Sequence, residues 1–350
     1  MRVLFDIGHP GHVHLFRHAV RQLMANGHEV LVTASEKDVT ARLLRAYGIP
    51  YVSLGSSGGG VAANCGRTAL STLKLLKTAF EFSPDLLVAV SPVRAAPVAR
   101  LLGRHCLGLD DTEHARLAHR VYGPFVTLLL TPECYGLDVG PKQRRYRGYH
   151  ELAYLHPRYF TPDSAVLERE GLSAELPYSF VRFVAWSAAH DVGHCGFSAQ
   201  GRIRLVRELA QYGRVLVSCE GKASPELACH AFHAPPHLIH HFLYHARVCV
   251  TEGGTTASEC AVLGTPAVCM NTLYAGVQDQ LQHQYRLVFG FHSREYEHEA
   301  IRTAVRIANG QVAGRREWRA RSYRLVSEHI DVTRYLVETI ESILHGAIAL

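Results

Sequence analysis

A chain of 350 residues is longer than one hydrophobic core usually supports, so its length predicts two domains. Hydrophobic residues make up 47% of the chain and charged residues 19%, a balance that excludes a disordered protein. The 37 basic and 31 acidic residues give a net charge of +6, which is too small and too dispersed for a nucleic-acid-binding stripe.

The cysteines and the first residues predict a cytoplasmic protein. The nine cysteines contain no Cys-x-x-Cys pair, so we expect reduced thiols rather than a disulfide framework or a zinc site. The first apolar run meets Asp6 too early for a signal peptide. No apolar run approaches the ~18 residues of a membrane span, although contact with a membrane surface stays open.

The first half alternates short apolar strands with amphipathic helices. Apolar residues recur at helical spacing over 13–24 until Gly27, and again over 37–47 until Gly48. The strand segments are apolar throughout, which indicates burial on both faces and therefore a parallel sheet covered by helices. The expected strands are 3–7, 30–33, 51–54, 86–90, 106–109 and 126–130.

The alternation stops at 144–163, which is rich in Tyr, His and Pro, and then restarts with strands expected at 180–186, 215–219, 248–251 and 267–270. We therefore expect a hinge near 155–175. It separates an N-terminal domain, 1–160, from a C-terminal domain, 175–330. The tail from Ile301 is expected to be helical, and the last helix, 332–344 within 331–350, is expected to pack back on the first domain. The basic run 142–147 is interpreted as a solvated loop, and binding of a phosphate-rich partner is the alternative.

The strongest candidate site follows the strand expected at 248–251. The glycines of Gly253-Gly254-Thr255-Thr256 let the backbone approach a ligand, and the two threonines open a helix whose free N–H groups favour an anion. Glu259 lies about one turn further, where its carboxylate would accept both hydroxyls of a ribose. The pattern predicts a nucleotide-diphosphate site. The alternative is an ordinary strand–helix turn with a threonine N-cap.

Histidines follow the first expected strand. Gly8 and Gly11 flank the turn, and His12 and His14 come directly after it. A histidine that titrates near neutral pH can act as a general base toward an acceptor hydroxyl, which is the role considered for His12. A structural loop and a metal site formed by His12 and His14 are the alternatives, but cysteine and carboxylate partners at ligand spacing are absent from the sequence.

Acidic residues follow the strand expected at 106–109. Asp110, Asp111 and Glu113 stand before a helix, together with His114. Acidic residues at a helix start stabilise its N-terminus. Three carboxylates beside a histidine exceed that need, so acceptor binding or acid–base chemistry is an equal interpretation.

The second half holds further candidates. Ser187 and His190 follow the strand expected at 180–186 and are candidate nucleotide contacts, whereas Asp279 and Gln280 are candidate sugar contacts or part of a solvated helix start. Arg182 lies inside a strand, where a guanidinium needs a partner, so a structural ion pair is expected. Glu220 is a weaker candidate contact. The histidines of 232–245 are interpreted as surface residues: His233, His237, His240, His241 and His245.

Five segments together resemble domain of unknown function family 354, over almost the whole chain: 7–14, 110–114, 146–152, 187–193 and 253–266. That family is related to the GT-B superfamily of nucleotide-sugar glycosyltransferases and UDP-N-acetylglucosamine 2-epimerases. The resemblance implies an α/β, GT-B-like fold of two Rossmann-like doubly wound parallel-sheet domains that face each other across a cleft.

A more distant resemblance is to the transferase that adds N-acetylglucosamine in lipid II synthesis. Gly8, Gly11 and His12 match its first loop, although Pro10 departs from the glycine-rich pattern of that enzyme. The segment 253–256 with Glu259 matches its nucleotide-binding motif, and 278–280 loosely matches the pair that touches the donor sugar.

These resemblances imply a glycosyltransferase that uses a nucleotide-diphosphate sugar, expected to be UDP-linked, with no cofactor and no metal. His12, or a carboxylate of Asp110, Asp111 or Glu113, would deprotonate an unknown acceptor, and surface polysaccharide or glycoconjugate synthesis is the expected setting. Two alternatives stay open. One is a nucleotide-sugar epimerase or hydrolase, and the other is a non-catalytic nucleotide-sugar-binding protein.

Overall fold

A computed structural model describes residues 1–36, 38–56, 61–184, 195–221, 224–273 and 275–347. The chain divides into two compact units. Unit 1 consists of Met1–Tyr154 together with Ile330–Leu350, and unit 2 consists of Leu155–His329. Each unit is built on its own parallel sheet and therefore has its own core.

Seven parallel strands form the sheet of unit 1 in the described part of the chain. In chain order they are β1 Arg2–Ile7, β2 Glu29–Glu36, β3 Val52–Ser56, β4 Leu86–Val90, β5 His105–Leu109, β6 Leu128–Pro132 and β7 Gln143–Tyr146. Their spatial order is β3-β2-β1-β4-β5-β6-β7. The order reverses between β1 and β4, and parallel sheets bind ligands at such a switch point.

Helices cover both faces of this sheet. Their bounds are α1 Pro10–Ala25, α2 Asp38–Ala46, α3 Val61–Phe82, α4 Ala95–Leu101 and α5 Arg116–Tyr122. The short helix α6 Leu152–Leu155 follows at the end of the first segment of unit 1. Phe5 of β1 packs on Phe16 of α1, with ring centroids 5.1 Å apart, whereas Leu4 lies in the core cluster that contains Leu75 of α3. Consecutive strand residues point to opposite faces, so both faces are buried.

Unit 2 has five parallel strands within the described residues. They are β8 Tyr178–Phe183, β9 Arg214–Cys219, β10 Val248–Thr251, β11 Ala267–Met270 and β12 Val288–Phe291, in the spatial order β12-β11-β10-β8-β9. The helices are α7 Ala165–Arg169, α8 Ala199–Leu209, α9 Ile239–His245, α10 Gly254–Leu263, α11 Gly276–His283, α12 Glu297–Ala308 and α13 Arg315–Glu328. The strands of unit 2, like those of unit 1, carry apolar side chains that are buried in the core.

The last helix, α14 Val332–Leu344, belongs to unit 1. It packs against α1, where the Asn26 side-chain amide donates to Glu341 at 2.7 Å. The Thr333 hydroxyl donates to the Ala153 carbonyl at 2.7 Å. The Asp331 side chain caps the helix by accepting from the Arg334 backbone N–H at 3.0 Å. The C-terminal segment is therefore held by apolar burial and by hydrogen bonds in unit 1.

The predicted fold class is confirmed, since both sheets are parallel and Rossmann-like. The expected solvated loop at 142–147 is wrong, because β7 pairs with β6 there. The Arg145 guanidinium is exposed but also donates to the backbone carbonyls of Glu133, Tyr135 and Leu137, so it ties β7 to the segment that follows β6. None of the described helices is both long and apolar enough to cross a bilayer.

The first prediction concerns the end of α10. Gly264 has φ of 75°, and a Cβ there would lie 2.9 Å from Ser322 Cβ. Gly264→Ala should therefore lower the free energy of unfolding of unit 2 by about 1–2 kcal/mol for the left-handed backbone and by about 1–3 kcal/mol more for crowding. Urea titration followed by tryptophan fluorescence measures it, because Trp318 of α13 is buried in unit 2.

The matched control is Gly171→Ala, also in unit 2. Gly171 has φ of 66°, and a Cβ added to it would meet no atom within 4 Å, so only the backbone cost applies there. Equal losses of stability in the two variants would show that the α10 terminus relaxes without crowding.

Candidate functional site

Four polar side chains of unit 1 meet beyond the carboxyl ends of β1, β5 and β7. They are His12 of the first turn of α1, Asp111 after β5, Tyr146 at the end of β7, and His150, and we refer to them as the histidine cluster. Parallel strands deliver their following loops to one edge of a sheet, which explains why residues distant in sequence meet here. Two of the four, His12 and Asp111, are candidates from the sequence.

Asp111 and His150 form an ion pair. The His150 Nδ1 lies 3.1 Å from the Asp111 Oδ2, and the Thr112 hydroxyl donates to Asp111 Oδ1 at 3.1 Å. Burial alone would raise the pKa of Asp111, but His150 first and Thr112 and His12 in addition lower it to about 2. Burial opposes the charge on His150, and Asp111 outweighs that effect and raises the pKa of His150 above its ordinary value.

The two shifts define the pH range in which the pair stabilises unit 1. The depressed pKa of Asp111 contributes stability above 3.8, its unfolded value, and this is lost as pH falls toward about 2. The raised pKa of His150 contributes stability that is complete below 6.5, its unfolded value, and is lost as pH rises through the folded value. Both contributions to stability are therefore complete between about pH 3.8 and pH 6.5.

His12 is held as a neutral imidazole. Its Nδ1 accepts from the backbone N–H of Gly8 at 3.4 Å, and its ring lies 5.8 Å from that of His9. Desolvation lowers the pKa of His12 well below its ordinary value, and the positive charges of His9, His150 and Arg94 lower it further against the opposing effect of Asp111. A neutral histidine at physiological pH is chemically able to accept a proton.

His150 and Tyr146 are not among the candidate site residues predicted from the sequence. Their rings stack with centroids 6.4 Å apart. The His150 Nε2 and the Tyr146 hydroxyl are buried, and neither has a hydrogen-bond partner among the described residues. Burial and the charge of Asp111 raise the pKa of Tyr146 well above its ordinary value, so this phenol stays protonated. Buried polar atoms without partners are rare and indicate a place where a ligand or water binds.

Asp110 has a different environment from Asp111. It is completely buried, and its carboxylate accepts from Tyr122 Oη, from Ser91 Oγ at 3.1 Å and from the Thr112 backbone N–H at 2.7 Å, with His119 Nε2 3.2 Å away. These partners account for its burial. Asp110 therefore fixes the loop that presents Asp111.

Two other unit 1 candidates, Glu113 and His14, form contacts with the backbone and with core side chains. Glu113 accepts from the Gly136 backbone N–H at 2.8 Å, which ties its loop to the one after β6. His14 is buried, bonds the Tyr47 hydroxyl at 3.0 Å and stacks on Tyr154. His14 therefore lies in surroundings different from those of His12.

In unit 2 the candidate nucleotide segment forms the start of α10. Gly253 is the N-cap, and Gly254, Thr255 and Thr256 form the first turn, in which Thr255 is exposed and Thr256 is buried. The first N–H groups of a helix have no partner within it and carry positive partial charge. A Cβ at Gly254 would lie 2.9 Å from Gln278 Nε2, so this glycine lets α11 approach.

Glu259 is 7% exposed and lies on the second turn of α10. Its Oε1 is 2.9 Å from Nε2 of His240, which is 1% exposed and belongs to α9. The interpretation of His240 as a surface residue is therefore wrong. Its ring is buried because it pairs with this carboxylate, a contact between α9 and α10 that the sequence spacing does not reveal.

Glu252, just before this segment, is a buried carboxylate that the sequence did not single out. It accepts from the backbone N–H groups of Val184 and Phe197, both at 2.9 Å, and from Arg202 Nη2 at 2.7 Å. Burial raises its pKa against the opposing effect of Arg202. Glu252 therefore joins the end of β8 to α8 beside the candidate nucleotide site.

The remaining candidate residues of unit 2 lie in different surroundings. Ser187 and His190 lie outside the described residues. Asp279 is on α11, 3.3 Å from His283, and Gln280 donates to Gln284 at 2.9 Å, so both form contacts along their own helix. Their proposed role in sugar binding stays a prediction. Arg182 forms the expected ion pair, with Nη2 2.6 Å from Glu220 Oε1.

The second prediction tests the histidine cluster. Asp111→Asn removes the charge that raises the pKa of His150 but leaves the imidazole buried, so the pKa of His150 should fall from above 6.5 to below it. NMR titration of the histidine ring signals, assigned with a His150→Gln sample, measures the shift.

Glu113→Gln is the control, because Glu113 lies on the same loop and bonds Gly136 instead. It should leave the His150 titration unchanged. A wild-type His150 that titrates below 6.5, or one that Asp111→Asn leaves unaltered, would contradict the ion pair.

Comparisons with known proteins were consistent with this architecture. A family model described as "Protein of unknown function (DUF354)" matches residues 1–338. No functionally curated protein matches the sequence. The fold resembles that of a Listeria monocytogenes structure described as a candidate UDP-N-acetylglucosamine 2-epimerase, with a TM-score of 0.72 and 10% identity, over 99% of this chain and 97% of the other.

Two further structures are similar. The UDP-GlcNAc 2-epimerase of Neisseria meningitidis, bound to UDP-GlcNAc, has a TM-score of 0.68 and 9% identity over 98% of this chain and 100% of its own. Spinosyn forosaminyltransferase has a TM-score of 0.67 and 15% identity over 99% of both chains. At such identities the comparisons show the fold, which is GT-B.

Proposed function

The chain belongs to the DUF354 family over residues 1–338, and from this premise we propose that it uses a nucleotide-diphosphate sugar as the donor in a glycosyl transfer. The observation that carries the proposal is the first turn of α10 together with Glu259. No side-chain hydrogen bond caps this turn in the described part of the chain, so its first N–H groups are available to an anion, and Glu259 is held in place by His240. A diphosphate and a ribose are the ligand groups that these features fit.

The neighbouring structures support the same ligand class. The epimerase of Neisseria meningitidis was solved with UDP-GlcNAc, and spinosyn forosaminyltransferase is a sugar transferase of the same fold. We therefore propose a UDP-linked donor that is the substrate itself, with no separate cofactor. The setting we propose is the synthesis of a surface polysaccharide or glycoconjugate in the cytoplasm.

We assign proton transfer to the histidine cluster. His12 is the base in the proposal because its lowered pKa keeps the imidazole neutral. The ion pair between Asp111 and His150 lies beside it. His12 takes the proton from the acceptor hydroxyl, and the acceptor oxygen forms a bond to the anomeric carbon. The bond from that carbon to the diphosphate breaks, and its electrons leave with the diphosphate. The N–H groups of α10 stabilise the departing charge.

A second candidate is an epimerase of the same fold. The observation that favours it is the buried His150 Nε2 beside a carboxylate, an arrangement suited to moving a proton on the sugar ring itself. An epimerase converts the donor alone, whereas a transferase needs an acceptor. Proton NMR of UDP-N-acetylglucosamine incubated with the protein, without and with hydroxyl acceptors, separates the two.

The third prediction concerns Glu259. Glu259→Gln keeps the shape of the side chain but removes the charge that strengthens hydrogen bonds from ribose hydroxyls, so UDP should bind about 10–100-fold more weakly. Titration calorimetry measures the affinity. A thermal-shift screen comes first, because UDP at about 100 times its dissociation constant adds about 2.7 kcal/mol of stability.

Glu299→Gln on α12 is the control for charge, since Glu299 is exposed on the same unit and should leave UDP affinity unchanged. The donor assignment is wrong if wild-type protein shows no shift with any nucleotide or nucleotide sugar. It is equally wrong if Glu259→Gln and Glu299→Gln bind UDP alike.

The fourth prediction concerns His12. His12→Gln removes the base but no donor contact, so turnover should fall about 10²–10⁴-fold while UDP affinity changes less than about twofold. Because the base acts in its neutral form, wild-type activity should decline only as pH falls below the ordinary histidine range. His105→Gln is the control, because His105 is exposed at the amino end of β5. Unchanged turnover in His12→Gln would remove His12 from the mechanism.

A further inference from the structure

A cavity of about 290 Å³ lies at the amino end of the unit 2 sheet. Its lining includes Pro177, Arg247 and Pro266, the residues that directly precede β8, β10 and β11. The first turn of α10 follows the carboxyl end of β10, so the cavity and the proposed nucleotide site lie at opposite ends of the same strands. The cavity is therefore a separate feature of unit 2.

Basic side chains dominate the polar lining. Arg247, Arg315, Arg319 and His245 all border the cavity. Within the described residues, none of the three arginines has a carboxylate within ion-pair distance. Glu175 is the acidic residue in the lining, and it is exposed. Basic groups without a carboxylate partner leave an excess of positive charge at this end of the sheet.

Two of the arginines donate hydrogen bonds to backbone carbonyls, and these carbonyls offset part of the positive charge. The Arg319 guanidinium lies over the Tyr244 ring at 3.4 Å and donates to the Leu263 and Tyr244 carbonyls, and Arg315 donates to Tyr244 and His245 carbonyls at 3.4 and 3.2 Å. These carbonyls end α10 and α9. Two helix C-termini supply about half a negative charge each, against three positive guanidinium groups. Even with Glu175 counted, positive charge remains.

His245 adds a polar atom that needs a partner. Its Nε2 is buried and has no hydrogen-bond partner among the described residues. Burial first, and then the positive charges of Arg315 and Arg319, lower the pKa of His245 to about 4. An oxyanion in the cavity would accept a hydrogen bond from this imidazole and offset the positive potential.

We propose that this cavity binds a phosphate dianion, either free or as the phosphoryl group of a small phosphomonoester. The arginines and His245 donate hydrogen bonds to the phosphoryl oxygens. Leu176, Pro177, Ile307 and Trp318 give the lining an apolar part against which a short organic group packs. The volume is at the lower limit for small-molecule sites, so the ligand is smaller than a nucleotide sugar. The site does not depend on the proposed glycosyl transfer.

The test uses the full chain and titration calorimetry at constant ionic strength. The probes are inorganic phosphate, glycerol 3-phosphate and glycerol. Arg247→Gln is the first variant, because Arg247 is exposed and its side chain donates no hydrogen bond within the described residues. It should weaken the binding of both phosphates about tenfold, and Arg247→Gln with Arg315→Gln should weaken it further. Thermal unfolding without phosphate verifies that each variant is folded.

Arg316→Gln is the matched control, since Arg316 is exposed on the same helix as Arg315 but does not line the cavity. It should change phosphate affinity less than about twofold. Tighter binding of glycerol 3-phosphate than of phosphate supports an esterified ligand, and equal affinity supports free phosphate. The site is refuted if wild-type protein binds neither phosphate, if glycerol binds as well as glycerol 3-phosphate, or if Arg316→Gln weakens binding as much as Arg247→Gln.

Discussion

A carboxylate buried at the carboxyl end of a parallel strand must be compensated, and this constraint organises both units. Asp6, near the end of β1, binds Arg94 through both of its carboxylate oxygens. Asp110 follows β5 and contacts Tyr122, Ser91 and His119. Glu252 follows β10 and binds Arg202 and two backbone N–H groups. Each is no more than 4% exposed. An uncompensated charge at such depth would cost several kcal/mol, so the partners fix the loops that carry them.

The fixed loops then present neighbouring polar groups for chemistry. Asp110 is fully occupied by its own partners, whereas Asp111, one residue later, pairs with His150 and lies near His12. The same separation of tasks is found in unit 2, where Glu252 holds the end of β8 and Glu259 is oriented by His240 on the face of α10. In both units one buried carboxylate maintains the geometry, and a second one lies where a ligand is proposed to bind.

The two ends of the unit 2 sheet differ in their electrostatics. At the carboxyl end, the N-terminus of α10 supplies positive partial charge from its backbone N–H groups. At the amino end, the helices α9 and α10 terminate with negative partial charge, and the arginines of the cavity reverse its sign. An anion is therefore favoured at both ends of one sheet, by backbone dipoles at one and by side chains at the other.

The sequence alone determined the parallel α/β fold, because continuous apolar strands between amphipathic helices have few other arrangements. It also located the start of α10 and the loops carrying His12 and Asp111, since glycine and polar residues after a strand are a local pattern. Only the tertiary structure decided which of these groups are paired. His240 with Glu259 and His150 with Asp111 are separated by 19 and 39 residues, and β7 was hidden in a basic run. Such pairs depend on which strands and helices lie side by side, and no local periodicity records that neighbourhood.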